Sequence, residues 1–113
     1  MIAMRVRATA RFFEDLDRQL PAERGRNGEP STNDFQTFEL LRIVETFAEQ
    51  FYTLPELIPG RPDYRLLFAT GTVVSAFSVL GQLASDGAVE LIQLDIDLNA
   101  GDYTDTNDVD DDD

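Results

Sequence analysis

With 113 residues, 42% of them hydrophobic and eight of them phenylalanine, the chain can build one domain around a single modest core. It carries 22 acids against 9 bases, a formal net charge of −13, and has neither cysteine nor histidine. Disulfide frameworks, thiolate chemistry, Ser–His catalysis and the usual zinc ligands are thereby excluded.

All nine bases are arginine, lysine is absent, and 14 of the acids are aspartate. A lysine-free acidic surface suits a cytoplasm at molar salt, where the screening length shrinks to ~3 Å and self-repulsion costs little. The composition therefore points to a salt-adapted cytoplasmic protein of an extreme halophile, with a GC-rich genome as the alternative source of arginine in place of lysine. No apolar run approaches the roughly 18 residues of a membrane span. The start, MIAMRVRATARFF, lacks the apolar stretch and small-residue cleavage site of a signal peptide. The last fifteen residues, NAGDYTDTNDVDDDD, carry seven acids and no base. We expect residues 105–113 to be a disordered acidic tail, which leaves 1–104 as the domain.

Taken in chain order, Ile2, Met4, Val6 and Ala8 alternate with Ala3, Arg5 and Arg7, the period of a short strand. Thr9 can cap a helix running to about Leu20, with Phe13, Leu16 and Leu20 as its apolar stripe, Glu14, Asp15, Asp17 and Arg18 outside it, and Pro21 as its stop. Residues 21–33, PAERGRNGEPSTN, read as a polar connector. A second helix follows, capped by Asn33 or Asp34, striped by Leu40, Val44, Phe47, Phe51 and Leu54, widened by Leu41 and Ile43, and ended by Pro55.

Three strands complete the chain as a meander. Tyr64, Leu66 and Phe68 share one face of the first, and Thr70-Gly71 turns the chain. Val73, Ser75, Phe77, Val79 and Leu83 share a face of the second, and Ser85-Asp86-Gly87 is a hairpin signal. In the last strand Ile92, Leu94, Ile96 and Leu98 oppose Gln93, Asp95 and Asp97. The expected fold is α+β, two helices packed on a mainly antiparallel four-stranded sheet whose other face is wet.

The opening RVRATARFFEDLDRQL, the second helix running into LIPGRPDYRLLF, and the SDG turn before the last strand are similar to the RelE/ParE superfamily of toxin–antitoxin toxins. The resemblance spans roughly Met4 to Tyr103. It implies a toxin-like component of a type II module, neutralised by a cognate antitoxin, with ribosome-dependent mRNA cleavage or gyrase inhibition as the activities of such toxins. RelE-like ribonucleases use basic and tyrosine side chains on the sheet to activate a ribose 2′-OH and to stabilise the scissile phosphate. By this resemblance the catalytic candidates are Arg61, Tyr64, Arg65 and Tyr103. The further basic positions of the family fall near Leu67, near Val73 or Val74, and on Asn99 to Asp102 here, so the site is degenerate.

Each candidate also has a plainer reading. Arg61 and Arg65 can be counter-charges to Asp63 and other acids, Tyr64 a core-edge aromatic, and Tyr103 a pin for the chain end. With arginine always protonated, a general base would have to be a carboxylate or an acidified tyrosine. No phosphate loop or EF-hand loop is present, and Asp95 and Asp97, about 7 Å apart along a strand, read as a solvated face. No metal or cofactor is expected. The rival functions are a non-catalytic protein-binding module on the same scaffold, and an acidic nucleic-acid mimic acting through the tail.

Overall fold

The sheet is built from the meander outward. In the computed structural model, which describes residues 3–26 and 28–98, the elements are β1 (Val6–Ala8), α1 (Ala10–Gln19), α2 (Thr32–Phe38), α3 (Leu40–Gln50), a 3-10 turn (Phe51–Thr53), β2 (Tyr64–Thr70), β3 (Ala76–Leu83) and β4 (Val89–Asp97). Strands β2, β3 and β4 pair antiparallel in sequence, and β1 adds to the far side of β4 in parallel, giving the order β1-β4-β3-β2. The fold is α+β as expected, with the meander in place. It holds three helices where two were expected, and the sheet is mixed because β1 runs parallel to β4. The expected tail 105–113 and Tyr103 lie outside the described residues.

The third helix comes from a break that periodicity does not reveal. Ser31 is the N-cap of α2 in a reciprocal capping box with Asp34, in place of the expected Asn33 or Asp34. Eight residues after Ser31, Glu39 leaves ideal helical geometry, at φ −114°, and closes α2 while opening α3. Its side chain is fully buried and points at the β2–β3 loop. There the carboxylate accepts the backbone N–H groups of Thr72 and Val73, the latter at 2.8 Å, and an arginine contact from Arg42 at 3.2 Å. A continuous straight helix would leave those loop donors without this partner, and buried donors without partners are costly. Gly71 is glycine for the same reason, since a Cβ there would lie 2.5 Å from the Glu39 carboxylate.

The core lies between the helices and one face of the sheet. Phe12, Leu16 and Leu20 enter from α1 and the residue after it, Phe35 from α2, and Ile43 and Phe47 from α3, with Phe51 and Leu54 following. Phe13, expected on the α1 stripe, is half-buried and packs edge-on against Phe12. Asp15, expected outside the stripe, is buried, and Leu41, expected to widen the α3 stripe, is exposed.

The sheet contributes Phe77 and Val79 from β3 and Val89, Leu91 and Leu94 from β4. In β4 the phase changes midway. Leu80 pairs with Gln93 and Gly81 with Leu91, so Ile92 is the extra residue of a β-bulge. Val89 and Leu91 therefore face the core before the bulge, and Leu94, Ile96 and Leu98 face it afterwards. Ile92 does not belong to the core-facing set in which the alternation alone would put it. Across from the bulge, Gly81 lets Phe47 approach to where a Cβ would lie, 2.5 Å from the ring.

Candidate functional site

The chain enters β2 through a tight turn at Gly60, whose φ of +88° favours glycine. The turn is closed by the Arg61 N–H on the Ile58 carbonyl (2.9 Å) and the Tyr64 N–H on the Arg61 carbonyl (3.2 Å). It brings together two of the four sequence-predicted residues. Arg61 donates through two nitrogens to both carboxylate oxygens of Asp63 (3.1 and 3.0 Å), and its guanidinium lies over the Tyr64 ring, 4.8 Å from the centroid. The Tyr64 hydroxyl accepts from Gln82 Nε2 at 3.1 Å. The Asp63 hydrogen bonds raise the Arg61 pKa, and Arg61 holds the Asp63 carboxyl below the usual carboxylate range. The pair is a neutralised cation stacked on a ring, at one end of the open sheet face.

Arg65 takes no part in that cluster. Alternation sends Tyr64, Leu66 and Phe68 to the open face and Arg65, Leu67 and Ala69 to the helix side. Arg65 is 8% exposed and donates to the carbonyls of Pro62 (2.8 Å), Tyr52 (3.1 Å) and Leu54 (2.8 Å), with Phe51 and Tyr52 rings against its guanidinium. Glu56 lies 3.8 Å away. The side chain ties the segment after α3 to the start of β2, and it is buried away from any ligand on the open face. Tyr103 lies outside the described residues.

The open face is more apolar than the expected wet face. Leu66 and Phe68 of β2, Leu80 of β3 and Leu57 from the preceding loop line shallow grooves together with Ser78, Gln93 and Asp95. Phe68 is 71% exposed, and Leu57 and Ile58 are about half exposed. On β4 the acids Asp95 and Asp97 border this strip, and toward β1 the face ends in a charged corner where Arg7 bridges Asp86 (2.8 Å) and Glu90 (3.0 Å). Among the described residues no three acidic, histidine or cysteine side chains gather as a metal site.

Phosphodiester cleavage needs a base beside the 2′-OH and free cations beside the phosphate. Of the described candidates, Arg61 is already bound to a carboxylate and Arg65 is spent on carbonyls. What the face can do is bury apolar surface.

Sequence reasoning missed two buried carboxylates, Glu39 and Asp15. Each is followed by an arginine three residues on, Arg42 and Arg18, and forms an ion pair with it at 3.2 and 2.8 Å. An acid on the apolar side of a helix with arginine at i+3 was the available signal. Compared with protein-family models, curated proteins and solved structures, the chain matches none of them.

Proposed function

We propose that this chain is a toxin-like component of a type II toxin–antitoxin module, built on a RelE/ParE-type scaffold in a halophilic cytoplasm, and that it works by binding a protein, without cleaving mRNA. The observation that carries the reading is the burial of Arg65 under β2, which removes from the open face the cation that the resemblance puts beside the scissile phosphate. Further support comes from the order of one strand, three helices and a three-stranded meander, and from an apolar strip in place of a basic groove. Nucleic-acid footprints rely on clustered Lys and Arg, whereas here the strip is bordered by Asp95 and Asp97.

The test is induced expression in a haloarchaeal host with growth followed and mRNA ends mapped, with and without co-expression of any small protein encoded by a neighbouring gene. Growth arrest relieved by the neighbour, with no new mRNA ends, is the expected outcome. New in-frame ends that disappear in an Arg61→Ala/Tyr64→Phe variant would establish the ribonuclease reading and sink the binding one. Normal growth under every condition would sink the toxin reading altogether.

A further inference from the structure

The open sheet face carries an inference that rests on the protein-binding reading above and names the chemistry of the segment bound there. Cross-strand register sorts this face into rows. Phe68 of β2 lies opposite Ser78 of β3, and Ser78 lies opposite Asp95 of β4. Leu66, Leu80 and Gln93 make the row on one side, and Thr70, Ala76 and Asp97 the row on the other. Every row therefore ends in a polar side chain on β4. The two grooves of the face, about 230 and 330 Å³, meet in the central row at Phe68, Ser78 and Asp95.

That central row is a notch. Two strand spacings, about 10 Å, separate the backbone of Phe68 from that of Asp95, and only a serine side chain stands between them. Phe68 is 71% exposed and forms one wall. Among the described residues neither the Asp95 carboxylate nor the Ser78 hydroxyl has a hydrogen-bond or ion-pair partner. Elsewhere around the face the chain supplies its own counter-charges, since Arg61 holds Asp63 and Arg7 holds Asp86 and Glu90. An exposed ring, a hydroxyl floor and an unneutralised carboxylate across a narrow gap are the parts that hold an organic cation. The ring attracts its charge, and the carboxylate accepts its N–H groups. A guanidinium suits the gap better than an ammonium, being planar, weakly hydrated and able to stack on a ring while donating along its edge.

We infer that the notch takes an arginine side chain from an extended, otherwise apolar segment of a partner protein laid along β3. Alternate side chains of such a segment repeat at the spacing of the rows. With arginine at the Phe68 row, an apolar side chain two positions away falls on Leu66 and Leu80. A second copy of this chain is the poorer occupant. Among the described residues seven of its nine arginines already hold carboxylates of their own chain, and it would bring a further net charge of −13. A nucleic acid would set its phosphates against Asp95 and Asp97.

The test is a titration of the isotope-labelled full chain in molar KCl with the peptide acetyl-Leu-Gln-Arg-Gln-Leu-amide, followed through backbone amide shifts. The control peptide carries citrulline, the neutral isostere of arginine. The expected result is saturable shifts at Phe68, Ser78 and Asp95, with the arginine peptide bound roughly three- to tenfold more tightly than the citrulline one. Asp95→Asn should remove that preference and Phe68→Ala should weaken both peptides, with retained shift dispersion showing that each variant is folded. Shifts that do not saturate, or that map away from this row, overturn the proposal. So do equal affinities for the two peptides, a preference that survives Asp95→Asn, or binding indifferent to Phe68→Ala. No cell enters the titration, so absence of growth arrest beside a positive titration sinks the toxin reading and leaves the notch standing. Growth arrest beside a failed titration sinks the notch alone.

Discussion

The two margins of the sheet meet the same problem in opposite ways. On the β1 side, β1 pairs only with Val89 to Leu91, and beyond it the margin of β4 would be bare. Helix α1 closes that gap with side chains. Asp15 accepts the Leu94 N–H (3.0 Å), Gln19 donates to the Leu94 carbonyl (2.7 Å) and accepts the Ile96 N–H (2.7 Å), and the Thr9 hydroxyl donates to the Leu91 carbonyl (2.8 Å). On the β2 side, Pro55 to Leu57 cover the first half, held there by Arg65, Arg42 caps the Thr70 carbonyl, and Phe68 between them stands exposed. A polar helix face can stand in for a missing strand, residue by residue, whereas the β2 margin is covered by an irregular segment and one arginine.

The largest expected effect is at the closed margin. Asp15→Ala leaves the buried Leu94 N–H and the Arg18 charge without their acceptor, so it should lower unfolding stability by about 3 kcal/mol. Denaturant unfolding in molar KCl measures it, and a loss below about 1 kcal/mol would show that α1 does not close the margin in the way described. Arg65→Ala should cost nearly as much, roughly 2–3 kcal/mol, because three carbonyls lose a charged donor. It should also loosen Pro55 to Leu57, read as faster hydrogen exchange at the Leu66 amide.

Much of this contrast was hidden in the sequence. The meander was legible because its strands alternate and Ser85-Asp86-Gly87 supplies a glycine at φ +89° for the hairpin. The split between α2 and α3 was not, because FQTFELLRIVETF is continuously helical in pattern. The break at Glu39 answers a tertiary demand, the loop donors of Thr72 and Val73. The same holds for Asp15, whose carboxylate is drawn inward by a strand 79 residues away. The bulge at Ile92 inverted part of β4 without any glycine or proline in β4 to announce it. Of the candidate site, adjacency of Arg61 and Tyr64 followed from chain proximity. The inward turn of Arg65 followed from alternation, but only once it was known which face of β2 the helices cover.

Acid should weaken the closed margin. Burial alone would push the Asp15 carboxyl upward, yet the Leu94 N–H, the Arg18 guanidinium and the Arg11 charge together hold it below its ordinary value. Asp34 is lowered to about 2, chiefly by Arg24, and Asp86 is lowered too, chiefly by Arg7. Groups depressed on folding contribute stability that is present above the unfolded carboxyl pKa of about 4, and it is lost as pH falls through the folded values. The chain has no histidine, the side chain whose ordinary pKa lies in the neutral range. The melting temperature should therefore be flat across neutral pH and fall below about pH 4, with a shallower fall in Asp15→Asn. A transition near pH 6 would contradict this assignment.

The smallest effect should come from Arg61, at the open face. Its partner Asp63 and its own guanidinium are both solvent-accessible, and exposed pairs of this kind contribute little, between about 0 and 1 kcal/mol. Arg61→Ala should shift the unfolding midpoint by less than about 0.5 kcal/mol and should shift it less still at molar salt. The contrast with Arg65, four residues along the same chain but buried on the helix side of β2, is the sharper test. Equal losses from the two substitutions would mean that Arg61 is held by something other than Asp63 and the Tyr64 ring. A large loss at Arg65 beside a negligible one at Arg61 would leave Arg61 as the one described candidate cation whose removal leaves the fold intact, and so the one whose effect on growth arrest reads function alone.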